Sequence, residues 1–315
     1  MVLFPVGPTD IASFIETAQQ VVLLQSASIG APPLLDSLRS VRKRNVRVNV
    51  LLGPKPDYLM VNGKPLVVSR PYDANAGAEL SALSEMGAEL FINPLFNELR
   101  ATQVQPGVTS HATYMVADRI AALVCTGAFS DGALQHERNL CLRSDDQDVI
   151  KALTALFFSE FDESLSVAKK SEFVRAARAQ LIVCPKCEAD LIRALSDIYE
   201  LTIRVSGFGA LPKIQARLLE FAPRLRLLLP EAYRGQHPFE AALRRAGAEI
   251  RFVPERFDGL TWVGKTKSGH IKALVGSMQL NENSLNRSRE VAVPLRDEIA
   301  INLGQLLDAA WGNAR

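Results

Sequence analysis

Residues 121–142, AALVCTGAFSDGALQHERNLCL, and residues 272–293, KALVGSMQLNENSLNRSREVAV, stand 151 positions apart and align without a gap. Ala122, Leu123, Val124, Leu134 and Arg138 meet Ala273, Leu274, Val275, Leu285 and Arg289. Two further segments repeat in the same order. DIASFIETAQQVVLLQSAS, from residue 10, is answered by DLIRALSDIYELTIRVSG, from residue 190, at an offset of 180. MGAELFINP (86–94) is answered by AGAEIRFVP (246–254) at an offset of 160. Three ordered anchors, with the length differences falling between elements, read as an internal duplication with loop variation.

Working outward, periodicity gives alternating strands and helices. VVLLQSAS and VRVNVLLG are strand-like around a helical PPLLDSLRSVRKR, and ELSALSEMG is a short helix before the strand AELFINP. The tetrapeptide VNGK between apolar runs predicts a β-hairpin inserted in the first half. The boundary falls near the polar DESLSVAKKSE (162–172), giving halves 1–165 and 166–315. The fold class is α/β: two α/β/α sandwich halves related by a pseudo-twofold axis within one chain, with a ligand expected on that axis.

Composition narrows the class. At 315 residues, 48% hydrophobic and 22% charged, the chain buries one large core or two ordinary ones. No run approaches the roughly 18 apolar residues of a membrane span. A net charge of +2 is too small to mark a nucleic-acid binder by itself, so any basic site is local. RSVRKRNVR (39–47) reads as the basic end of a helix followed by a strand. Four cysteines are too few for a disulfide framework, and Cys125 and Cys141 sit in apolar runs as small hydrophobes, which favours a cytoplasmic setting. CPKC (184–187) has the spacing of half a zinc site or a redox pair, but no second such pair completes it. No metal and no cofactor is expected.

The segment ALVGSMQLNENSLNRSREVAV closely resembles the end of the phospholipase D superfamily signature, in which a strand runs into G-S-x-N and then serine, leucine, asparagine, arginine and glutamate precede another strand. In that family each half also carries H-x-K-x4-D, with the histidine about fourteen residues ahead of the glycine. The resemblance covers both halves. It implies a metal-free phosphodiesterase mechanism in which one histidine attacks phosphorus, the histidine of the other half protonates the leaving oxygen, lysines and amides hold the phosphate, and a carboxylate orients each imidazole.

The match is incomplete. In TSHATYMVAD (109–118), His111 and Asp118 fit the histidine and aspartate, but Thr113 stands where the lysine belongs. At G-S-x-N the first half has Cys125, Thr126, Gly127 and Ala128, and its glutamate position is Asn139. The second half keeps Gly276, Ser277 and Glu290, with Gln279 replacing the asparagine. Carried upstream, the offset of 151 places Trp262, Gly264 and Gly269 opposite His111, Thr113 and Asp118. A competing H-x-K exists in His270 and Lys272, only six residues ahead of Gly276 where His111 precedes Cys125 by fourteen. That spacing leaves no room for the returning strand, unless a deletion re-aimed His270 as acid and Lys272 as phosphate clamp.

Three functional readings follow. One is a catalytically degenerate protein binding a phosphate-containing or anionic partner, nucleic acid or phospholipid headgroup. Another is an active phosphodiesterase with His111 as nucleophile and His270 as acid. The last is a structural or interaction protein with a vestigial cleft. Thr126, Ser277 and Glu290 suit either ligand contact or the satisfaction of buried backbone groups.

Overall fold

The computed structural model describes residues 1–5, 7–27, 29, 31–52, 58–61, 64–67, 98–101, 109–136, 138–162, 164–235 and 238–315. In chain order the main elements are β1 (Val2–Pro5), α1 (Pro8–Glu16), β2 (Val21–Ser26), α2 (Pro32–Lys43), β3 (Arg47–Leu52), β4 (Tyr58–Val61), β5 (Lys64–Val67), β6 (Glu98–Ala101), β7 (Thr109–Ser110), β8 (Tyr114–Ala117), β9 (Ala121–Cys125), α3 (Asp131–His136), β10 (Leu140–Ser144), α4 (Gln147–Phe161), α5 (Val167–Arg178), β11 (Ile182–Val183), α6 (Glu188–Ala194), β12 (Ile198–Val205), α7 (Pro212–Phe221), β13 (Leu225–Pro230), α8 (Pro238–Arg245), β14 (Glu249–Val253), β15 (Leu260–Thr266), β16 (Ile271–Gly276), β17 (Ser288–Arg289), β18 (Val291–Arg296) and α9 (Asp297–Asn313).

Among the described residues two seven-stranded sheets have the same layout: β1-β10-β9-β8-β2-β3-β6 and β11-β18-β16-β15-β12-β13-β14. Alternation along the strands sends side chains to two faces. From β2, Val22 and Leu24 pack outward with Ile11 of α1 and Leu34 and Leu38 of α2. From β12, Leu201 and Ile203 pack outward with Leu191, Ile214 and Leu243 of α6, α7 and α8. The inner faces share one core: Leu23, Val116 and Val124, with Leu153 and Phe157 of α4, join Ala273, Val275 and Val293 and Leu303 of α9. The expected pair of α/β/α sandwiches therefore meets through a continuous apolar layer. No described helix is long and apolar enough to cross a membrane.

Strand register fixes which residues of the two halves are equivalent. Across β9–β10 and β16–β18, Cys125 pairs with Cys141 and Gly276 with Ala292, which keeps the offset of 151. Across the next hairpin Tyr114 pairs with Val124 but Thr261 with Val275, so the offset falls to 147. The difference, 151 − 147 = 4 residues, is taken up in the longer tip joining β15 to β16. Trp262 therefore answers Met115, and the expectation that it stands opposite His111 is corrected. Farther in, Leu24 faces Met115 and Ile203 faces Trp262, so β2 and β12 are offset by 179 rather than 180. The expected equivalence of Leu23 with Ile203 would have placed equivalent residues on opposite faces.

Beside β3 the first sheet carries β6, Glu98–Ala101. The expected helix and strand at 79–94 lie outside the described residues. Strands β4 and β5 pair antiparallel, as the hairpin at VNGK requires. The four cysteines are corrected from free thiols to two disulfides, Cys125–Cys141 and Cys184–Cys187. Register makes Cys125 and Cys141 cross-strand neighbours, and the free-thiol argument for a cytoplasmic setting is thereby withdrawn.

Candidate functional site

The loops leaving β9 and β16 meet at the junction of the halves, where β7 pairs parallel with β17: Thr109 with Ser288 and Ser110 with Arg289. The Arg289 carbonyl accepts from the His111 amide at 2.9 Å and the Ala112 amide at 3.0 Å. These bonds carry an imidazole of one half to a carboxylate of the other. His111 Nδ1 stands 3.5 Å from Glu290 Oε1, with the histidine side chain 43% exposed and the glutamate 1%. A carboxylate at Nδ1 fixes the tautomer and the orientation of the ring.

Glu290 is held by two hydroxyls besides. Ser277 Oγ donates to Oε2 at 2.7 Å and Ser284 Oγ to Oε1 at 3.0 Å. Burial raises the Glu290 carboxyl above its ordinary range, while the bonds from His111, Ser277 and Ser284 pull it back down. Gln279 reaches this cluster through its backbone N–H, which donates to Ser284 Oγ at 2.8 Å, while its side-chain Oε1 accepts from Asn281 Nδ2 at 2.9 Å. Thr113 is buried, with its hydroxyl bonded to the His111 carbonyl at 3.3 Å. The CPKC loop, which offered no site in the sequence, braces the same segment: Cys184 N donates to the Glu290 carbonyl at 3.1 Å and Cys187 N to the Leu285 carbonyl at 3.2 Å.

The offset of 147 makes Asp258 the counterpart of His111 and Leu260 that of Thr113. The surrounding bonds agree. Arg138 N donates to the Arg256 carbonyl at 2.7 Å, as the loop of His111 is tied to Arg289. Asn139, the counterpart of Glu290, accepts the Asp258 amide at 2.8 Å and pairs with Thr126 Oγ1 at 3.3 Å, as Glu290 pairs with Ser277. Beneath Asp258 lies Arg204, whose guanidinium sits 3.7 Å from the Phe257 ring centroid and donates to the Arg138 carbonyl. Burial lowers this guanidinium to about 9, against the pull of the Asp258 and Glu255 carboxylates.

Three expected site residues are placed elsewhere. Asp118 sits in the turn between β8 and β9, on the order of 20 Å of extended chain from His111. Its carboxylate accepts the amides of Gln19, Gln20 and Val21 at 2.6 to 2.7 Å, fixing the entry to β2 instead of an imidazole. His270 is exposed in the tip between β15 and β16, the equivalent turn, at the far end of the sheet from Ser277. Lys272 lies on the same hairpin and pairs with Asp197 at 2.6 Å. The strand β16 runs from that tip towards the junction, so neither side chain is re-aimed to His111.

No family model matches the sequence, and no curated protein matches it. Solved structures do. Phosphatidylserine synthase from Haemophilus influenzae Rd KW20 superposes with a TM-score of 0.68 at 12% identity, over 99% of this chain and 86% of that one. Polyphosphate kinase from Porphyromonas gingivalis gives 0.64 at 13%, over 98% of this chain, which spans only 49% of the kinase. A yeast tyrosyl-DNA phosphodiesterase mutant gives 0.55 at 10%, over 94% and 89%. All three are phospholipase D superfamily proteins. At these identities the likeness speaks for architecture alone, and the architecture of this chain is the phospholipase D fold.

Proposed function

We propose that this chain is a phospholipase D-like protein that has lost the paired-histidine chemistry and uses its junction to bind a phosphate-containing or anionic partner, nucleic acid or a phospholipid headgroup. The observation that carries the reading is Asp258. At the position equivalent to His111 the second half offers a carboxylate, and Thr113 and Leu260 occupy the two positions where the family has lysine. A nucleophile oriented by Glu290 remains, but among the described side chains no second imidazole stands opposite it to protonate a leaving oxygen. Polyphosphate kinase, phosphatidylserine synthase and tyrosyl-DNA phosphodiesterase are named for phosphorus chemistry, which supports a phosphate-bearing ligand. On this reading the halves 1–165 and 166–315 are copies, of which the first kept its histidine.

Bis(p-nitrophenyl) phosphate tests the loss of chemistry. Neither wild type nor His111→Ala is expected to release nitrophenol catalytically. Steady turnover by the wild type that disappears in His111→Ala would sink the reading in favour of an active phosphodiesterase. Binding is tested on DNA and on anionic vesicles: retention is expected on one of them, weakening about tenfold or more between roughly 50 and 200 mM salt as phosphate contacts are screened. Retention on neither would leave a structural protein with a vestigial site.

A further inference from the structure

The His111–Glu290 pair belongs to a ring whose other members are buried, and one side chain closes it. Ser110 precedes His111 and Arg289 precedes Glu290 in the chain. Arg289 Nε donates to Glu160 Oε1 at 2.5 Å, in an ion pair whose side chains are 6% and 2% exposed. The other oxygen of Glu160 accepts from Gln25 Nε2 at 3.2 Å, and the same amide donates to Ser110 Oγ at 2.9 Å. The path therefore runs from Glu160 through Arg289 to Glu290, across to His111, back along the chain to Ser110, and through Gln25 to Glu160. We propose that Glu160 is a positioning residue for His111, tying the loops of both halves to one buried carboxylate.

The second half shows what the ring is for. Register makes Arg204 the counterpart of Gln25 and Phe257 that of Ser110. On that side α9, which follows β18 as α4 follows β10, brings Trp311 into an apolar cluster with Phe257. Beside Asp258 stands an aromatic pair with a stacked guanidinium, where His111 has an acid, an amide and a hydroxyl. A buried ion pair is a poor source of net stability, and the chain keeps one on the side that has the histidine. The charge of Glu160 is felt inside that network, since after burial it is the largest influence raising the Tyr114 hydroxyl above its ordinary value.

This inference rests on His111 being the working group of the junction, and its test reads the imidazole itself. Loss of DNA or vesicle binding, which would end the functional reading, leaves it standing. Diethyl pyrocarbonate acylates the four histidines, and peptide mass mapping follows each rate separately. Because a misplaced reacting group loses much of its rate, folded Glu160→Gln is expected to slow His111 by at least about fivefold. The exposed, remote His270 should keep its rate, and Glu160→Asp, which retains the charge, should recover part of the loss at His111. An unchanged His111 rate in folded Glu160→Gln overturns the proposal. If that variant does not fold, Glu160→Leu with Arg289→Met removes both charges together, and a wild-type His111 rate in the folded double variant overturns it equally.

Discussion

Glu160→Ala is expected to destabilise the protein by about 3–5 kcal/mol, because it leaves the Arg289 guanidinium charged, buried and without its carboxylate. The remaining partner of that guanidinium is the Cys184 carbonyl, and a neutral acceptor does not compensate a charge removed from water. Gln25 would also lose the acceptor that it shares with Arg289. Urea denaturation followed by far-UV circular dichroism measures the change. The comparison is with Glu160→Leu combined with Arg289→Met, where no lone charge remains and the cost should fall well below that of the single variant. A single variant as stable as wild type would show that water reaches the pair and that its burial is not maintained in solution.

Gly259→Ala should be nearly as costly, at about 2–5 kcal/mol, for a reason of shape. Gly259 follows Asp258 in the left-handed region, with φ +72°, and a Cβ there would lie 2.3 Å from the Gly276 carbonyl oxygen and 2.8 Å from Cβ and the carbonyl oxygen of Thr126. Both neighbours are backbone or the stem of a β-branched residue, so neither can swing aside. They belong to different halves, so the methyl group would force apart the two loops that meet at the junction. Gly269→Ala is the control. It shares the positive φ, at +88°, but has nothing within 4 Å, so it carries the backbone strain without the collision. Equal losses in the two variants would attribute the whole effect to backbone conformation.

The architecture was legible because its signal is repeated apolar runs. ALVC and ALVG are strands in the same place in both sheets, and the gapless stretch between them and Leu140 or Val291 carries Thr126 and Ser277 to equivalent loops. The second half of the site was misread at a turn. KTKSGH is polar and without periodicity, so its four extra residues left no mark, and the offset of 151 slid past Asp258 to Trp262. Glu160 was missed for a different reason. It sits in FFSEF on a helix whose neighbours Phe157 and Phe161 are core, and a single acid there reads as solvent-facing until the arginine from the other half is placed against it. Gln25 in VVLLQS is the same case on a strand. A polar residue at an apolar phase is the available signal in both, but only three-dimensional structure supplies its partner.

The parallel pairing of β7 with β17 also has a meaning in the time over which the chain is made. Thr109 and Ser110 emerge long before Ser288 and Arg289, so until the second sandwich is complete they present unpaired backbone beside an imidazole with no carboxylate to orient it. A partly synthesised or half-docked chain thus has the histidine without the carboxylate that Nδ1 meets, and the pair exists only once both halves have closed on each other.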